Sequence, residues 1–106
     1  MTNPRLDTFR AMVAKSPGNP LARFGLANEL LKAQMWGEAV GELRVYLESY
    51  DDEGNGFGRL AQALEALGRV EEARDALHRG IDAAHRFGHT GLANELAGRL
   101  DELEDA

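Results

Sequence analysis

Apolar residues recur three and four positions apart along nearly the whole chain, the spacing of amphipathic helices. Leu26, Ala27, Leu30 and Leu31 form one such stripe, and Ala39, Val40, Leu43, Tyr46 and Leu47 form the next. The strict alternation of a half-buried strand is absent, which predicts an all-α fold. The stripes repeat. Leu26-Ala27-x-x-Leu30 matches Leu60-Ala61-x-x-Leu64, and Trp36-Gly37-Glu38-Ala39 matches Val70-Glu71-Glu72-Ala73, both at an offset of 34 residues. Leu43 and Leu47 continue the phase into Leu77 and Ile81. Two helix patterns in phase at one period of this length are the mark of a helical repeat, in which each unit buries its apolar face only against its neighbours. Ala27, Ala39, Ala61 and Ala73 fit that reading, because small side chains let antiparallel helices approach closely.

The phase extends to both ends. Pro17-Gly18-Asn19-Pro20 reads as the junction before the first unit. Leu6, Phe9, Met12 and Val13 then lie on a lone preceding helix, with Pro4 suited to its first position. Near the other end, Gly91-Leu92-Ala93-Asn94-Glu95-Leu96 repeats residues 25–30 letter for letter, at an offset of 66 rather than a doubled 34. Leu96, Ala97 and Leu100 offer a competing alignment, so the register of this last helix stays open. The expected organisation is a single domain over 1–106: a second-helix cap at 4–16, repeats at 20–53 and 54–87, and a capping helix at 90–104. The acidic stretch 101–105 is expected to fray into solvent.

The carriers Phe57, Leu60, Ala61, Leu64, Gly68, Ala73 and Leu77, with Leu26, Ala27, Leu30, Ala39 and Leu43 before them, resemble the tetratricopeptide repeat family. The chain departs from the motif in places. Arg23 stands where an early aromatic is expected, Asp51 where proline is common, and Tyr46 and Gly80 in place of a second alanine. The resemblance implies an antiparallel helix-pair solenoid of about six helices whose first helices (the A helices) line a concave face. It also implies a protein-interaction module that holds a short peptide or a helix of another protein. Carried over position by position, the groove-facing set is Leu21, Phe24, Asn28, Leu31 and Lys32 in the first repeat and Asn55, Arg59, Gln62 and Glu65 in the second. Asn28 could bond a peptide backbone and Arg59 a carboxylate. Phe24 reads equally as core, replacing the missing aromatic. The lysine of the carboxylate clamp found in some family members is replaced by Phe24, so that clamp is not expected.

Composition narrows the partners. Twelve basic against 18 acidic residues give a net charge of −6, which argues against nucleic acid or an anionic membrane surface. There is no cysteine, the first ten residues lack the apolar core of a signal peptide, and no apolar run approaches the ~20 residues of a membrane span. A cytoplasmic protein is expected. No nucleophile–base arrangement emerges, so neither enzyme activity nor a cofactor is expected. Two segments invite a metal. Asp51, Glu53 and Asn55, with Gly56, imitate the start of a calcium loop, but Gln62 stands where the closing glutamate belongs. His78, Asp82, His85 and His89 share helical spacing, yet point away from Ala73, Leu77 and Ile81 and read as a solvated face. Gly54, Gly56 and Gly58 are expected to weaken the start of their helix and leave it mobile. The alternative function is self-association into a homodimer, for which Met35, Trp36 and Tyr50 would supply an apolar patch.

Overall fold

The computed structural model describes residues 3–105. Among them run six α-helices and no strand: α1 (Pro4–Lys15), α2 (Pro20–Lys32), α3 (Trp36–Ser49), α4 (Asn55–Ala66), α5 (Val70–Arg86) and α6 (Thr90–Asp105). Local chemistry starts the first two. Asn3 and Asn19 each precede a proline at the first helical position, and their side-chain oxygens accept the Leu6 and Leu21 amides at 3.1 and 3.0 Å.

One turn is used three times. After α2, α4 and α5, three residues reverse the chain, with a left-handed residue in the middle: Gln34 (φ 59°), Gly68 (φ 74°) and Gly88 (φ 74°). The amides of Met35, Arg69 and His89 donate to the carbonyls of Leu30, Leu64 and Ala84, and those of Gln34, Gly68 and Gly88 to Leu31, Glu65 and His85. This paired bonding ends a helix and satisfies its last carbonyls. Connections so short make the flanking helices antiparallel neighbours. Each helix packs on the next, and α2 also meets α4, which makes a solenoid of helix pairs.

The 34-residue phase is the phase of the core. Ala27 and Ala61, Leu30 and Leu64, Ala39 and Ala73, and Leu43 and Leu77 are all fully buried, with Leu26 and Leu60 nearly so. Each buried leucine stabilises by roughly 1.5–3 kcal/mol relative to exposure. The outer helices α1, α3 and α5 repeat an ion pair in the same phase. Arg10 of α1 meets Glu38 of α3 at 2.9 Å, and Arg44 of α3 meets Glu72 of α5 at 3.0 Å. Both pairs are exposed and worth at most about 1 kcal/mol each. Their recurrence places α1 as a second-helix element, in step with α3 and α5.

The departures from the family pattern are compensations. Arg23 forms a 2.6 Å pair with Glu42, both side chains being largely buried, and donates to the Pro17 carbonyl. One period later the same two places hold Phe57 and Ala76, both buried. An ion pair thus fills in the first unit the space that an aromatic and an alanine fill in the second. Tyr46 and Gly80 likewise trade volume. A Cβ on Gly56 would stand 2.8 Å from Tyr46, and one on Gly80 would stand 2.9 Å from Phe57. Each large ring lies over a glycine.

The glycine-rich segment, expected to be weak and mobile, is closely packed. Gly54, Gly56, Phe57 and Gly58 are buried, because the glycines admit close contact with α3, α5 and α6. Asp52, 3% exposed, anchors the corner. It accepts the amides of Gly54 and Gly56, both at 2.8 Å, and the Tyr46 hydroxyl at 2.6 Å. The apolar patch expected from Met35, Trp36 and Tyr50 is not assembled. Met35 and Trp36 lie at one end of α3 and Tyr50 at the other, about 20 Å away at 1.5 Å per residue. Trp36 packs on the core, and Tyr50 stacks on Tyr46 with centroids 5.4 Å apart.

α6 buries apolar positions that belong to both alignments. α2, α4 and α6 begin at Pro20, Asn55 and Thr90, a spacing of 35 residues. By helix starts Leu96, Ala97 and Leu100 stand nearest Leu26, Ala27 and Leu30, while Ala93 and Leu96, which the letter-for-letter match sets against Ala27 and Leu30, are both buried, as is Leu100. The two alignments differ by four residues. That is one turn, which rotates a side chain by only roughly 40° and leaves it on the same face.

Two outcomes follow. Gly41 lies exposed within α3, with open space where a Cβ would stand, so Gly41→Ala should stabilise by about 0.5–1 kcal/mol, whereas Gly56→Ala should destabilise by about 1–3 kcal/mol through overpacking. Urea unfolding of both variants checks the opposite signs. Tyr46→Phe removes a donor from a buried carboxylate and should cost about 1–3 kcal/mol; a loss below about 0.5 kcal/mol would show that the bond contributes little.

Candidate functional site

The A helices α2, α4 and α6 share one face of the stack, and that face carries three adjoining clefts. Between α2 and α4 lies a space of about 280 Å³ lined by Asn28, Leu31, Lys32, Arg59 and Gln62. Between α4 and α6 lies one of about 140 Å³, which shares Arg59 and Gln62 and adds Asn55, Gly58, Leu92, Glu95, Leu96 and Arg99. At the start of α4 and α6 lies a wider one of about 440 Å³ around Glu53, Asn55, His89, Leu92 and Glu95. Shared residues join the three into one open channel.

Helical spacing explains why these side chains meet. Asn55, Arg59 and Gln62 are four and three residues apart on α4, and Glu65 follows at the next step of the stripe. The opposite face of α4 holds Leu60, Ala61 and Leu64 in the core. Asn28, Leu31 and Lys32 lie on the corresponding part of α2.

Of the residues carried over from the family motif, Asn28, Leu31, Lys32, Asn55, Arg59 and Gln62 line the channel. Glu65 stands at its margin and pairs with Arg99 at 3.5 Å. Leu21, 71% exposed, and Phe24 line none of these clefts. Phe24 is half-buried, with its ring 4.8 Å from that of Tyr46, in a Phe24–Tyr46–Tyr50 aromatic row. Leu92, Glu95 and Arg99 of α6 belong to the channel and were absent from the set read from the sequence. Helical spacing held the signal for them, since Leu92, Glu95 and Arg99 lie three and four residues apart along α6.

The charges of the channel fall into two groups. Some are engaged within the protein. Lys32 pairs at 3.4 Å with Glu29, a residue outside the clefts whose side chain is 8% exposed and which also accepts from Arg5 at 2.9 Å. The Arg5 hydrogen bond holds the Glu29 carboxyl below the usual carboxylate range against the opposing effect of burial, with help from Lys32. Arg99 donates to the Gly58 carbonyl at 3.1 Å as well as to Glu65. Others are unengaged: Arg59 and Glu95 have no ion-pair or hydrogen-bond partner among the described residues, and Asn28 Oδ1 is buried without one. Tyr46, beneath Phe24, is pushed far above its ordinary pKa by burial and then by the Asp52 bond, so it remains a donor throughout the working pH range.

The two metal-like segments are employed otherwise. Asp51 pairs with Arg86 at 3.2 Å, Asp52 caps α4, and Asn55 donates to Glu53. His78, Asp82 and His85 are exposed, and His89 stacks beside Phe87. Among the described residues no three His, Asp or Glu side chains converge as metal ligands. No described helix is long and apolar enough to cross a membrane.

Six helices, three of whose connections are one repeated turn, with A helices sharing a face, define a tetratricopeptide-like helical repeat. Three solved structures have this architecture. Protein BPP2914 from Bordetella parapertussis superposes with a TM-score of 0.83 at 26% identity, over 99% of this chain and 90% of that one. The first tetratricopeptide domain of human RPAP3 gives 0.70 at 18% identity, over 95% and 80%. A mutant of MamA gives 0.64 at 23%, over 92% and 65%. The likeness to the last two is one of fold alone. No family model and no curated protein matches the sequence.

The Glu29 pair predicts a pH effect. A carboxylate whose folded pKa is lowered contributes stability that is present above its unfolded value, about 4.3, and is lost as pH falls through the folded value. Since Arg5 lies on α1, amide exchange in α1 should accelerate on acidification below about pH 4 ahead of exchange in α4 and α5. Glu29→Gln should abolish that lead; an unchanged order of exchange would overturn the assignment.

Proposed function

We infer that this chain is a protein-interaction module. Two repeats, 20–53 and 54–87, stand between half-repeat caps and present the channel of α2, α4 and α6 to an extended segment of another protein. The observation that carries this reading is the density of polar groups along one continuous channel: the unengaged Asn28 and Gln62 amides around the unengaged Arg59 guanidinium, with Asn55, which donates only to Glu53, beside them and Leu31 and Leu92 as apolar floor. Amides both donate and accept, which suits the alternating groups of a peptide backbone. The clefts are open and mostly polar, unlike the enclosed apolar pockets that hold small molecules. They contain one imidazole and no hydroxyl or thiol, so no serine or cysteine nucleophile is assembled there. The tetratricopeptide-like fold supports the same reading.

Self-association is the second reading. Met35, Leu67 and Val70, 37%, 41% and 39% exposed, lie at the two turns that join α2 to α3 and α4 to α5, along one edge of the stack. Light scattering across a range of concentrations tests it, with Leu67→Lys as the variant that should hold a monomer.

For the channel, the double variant Asn28→Ala, Arg59→Ala should reduce capture of bound proteins from native lysate about tenfold or more, the equivalent of about 1.4 kcal/mol, while leaving the thermal midpoint within a few degrees. Undiminished capture by the folded variant would overturn the channel as the binding surface.

A further inference from the structure

The charges that the protein leaves unengaged in the channel are ordered by sign. Arg59 stands at its centre, where the α2–α4 and α4–α6 clefts meet. Glu53 stands at the mouth formed by the starts of α4 and α6, and Glu95 lines both that mouth and the α4–α6 cleft that holds Arg59. Glu95 has no partner among the described residues, and Glu53 accepts only from the neutral Asn55 amide. The other charges of the channel are engaged: Lys32 with Glu29, and Arg99 with Glu65 and the Gly58 carbonyl. Two helix N-termini at the mouth supply about half a positive charge each. Glu53 and Glu95, which line the mouth, outweigh them, while Asp52 is buried among its own donors and Arg86 is held by Asp51. The mouth is therefore net negative and the centre positive.

We propose that the channel selects an extended peptide with a cationic and a carboxylate side chain two residues apart, the cation in the Glu53–Glu95 mouth and the carboxylate on Arg59. The spacing follows from the scaffold. Asn55, which lines the mouth, and Arg59 are one turn apart on one face of α4, about 6 Å along the helix. Side chains on one side of an extended chain are also two residues and about 6.6 Å apart. One face of a strand therefore presents both charges at the required separation, and the residue between them points away. Uniformly acidic or uniformly basic segments meet a like charge at one of the two positions, which gives selectivity by repulsion as well as attraction. This inference rests on the channel being the binding surface.

The test uses the whole chain, isotopically labelled and titrated with nine-residue peptides that differ only at their centre: Lys-Ala-Asp, Asp-Ala-Lys, Lys-Ala-Lys, Asp-Ala-Asp and Ala-Ala-Ala. Amide shifts on α2, α4 and α6 report binding. One of the two mixed-charge orders should bind about fivefold or more tighter than either uniform peptide at low salt. Arg59→Glu should transfer the preference to Lys-Ala-Lys, and Glu95→Lys should transfer it to Asp-Ala-Asp. Both residues are exposed, and unchanged far-UV circular dichroism would confirm that the fold is kept. Equal binding of all five peptides, weakened alike by Asn28→Ala, would overturn the charge order and leave the channel reading standing. No shift on these helices with any peptide at millimolar concentration would overturn the charge order, and with undiminished lysate capture by the channel variant it would overturn both.

Discussion

The relation between the two repeats turns on one buried carboxylate. Asp52 is removed from water, a costly place for a charge without donors. Three donors meet it: the Tyr46 hydroxyl and the amides of Gly54 and Gly56. The tyrosine belongs to α3 of the first repeat and the amides to the start of α4 in the second. The bond set therefore fixes where α4 begins and how it lies against α3. Because Asn55 and Arg59 follow from that start at helical spacing, the same interaction places the centre of the channel. The adjacent glycines let the corner close, since a Cβ at position 56 would run into both Tyr46 and Asp52.

This junction is also where composition says least about packing. A run of three acids and three alternate glycines has the composition of a loose loop, and of the beginning of a calcium site. Glycine raises the entropy cost of ordering a helix start, and that local cost is real. What overrides it is tertiary packing, visible only once Tyr46, Gly80 and Leu96 are known to converge on the same corner. Elsewhere the pattern in the chain was sufficient. The alanine and leucine pairs 34 apart define the core because burial and period are the same constraint in a stacked repeat. The Asn-Pro starts and the turn at Gly68 follow from local chemistry, as does the left-handed Gly88.

The face of the A helices was legible in part, for a geometric reason. On α4, one stripe of side chains is committed to the core, so the opposite stripe is known as soon as Leu60, Ala61 and Leu64 are placed. On α6, two alignments differ by one helical turn and predict the same buried face. Rotation was therefore readable and level was not. Level decides which residue of α6 stands opposite Arg59, and the three-residue turn at Gly88 sets it by starting α6 at Thr90. Phe24 shows a different limit. Its place on the stripe admits either core or face, and the choice depends on Tyr46, a residue of another helix that draws the ring into an aromatic row.

The two units, alike in their core, differ on their polar surfaces. Arg23 and Glu42 neutralise one another where Phe57 and Ala76 later stand, and Arg5 and Lys32 are both engaged by Glu29. The first unit thus uses its charges internally, to close an end of the stack that has fewer neighbours. The second unit closes its corresponding space with apolar volume and glycine contacts. Its ion pairs, such as Arg69 with Glu72 and Glu65 with Arg99, lie on its surface, and among the described residues Arg59 on α4 is left without a partner, as is Glu95 on the adjoining α6. Stacking of this kind separates the work of stability from the surface, since each repeat contacts only its neighbours and the exposed stripe of an A helix contributes little to the core.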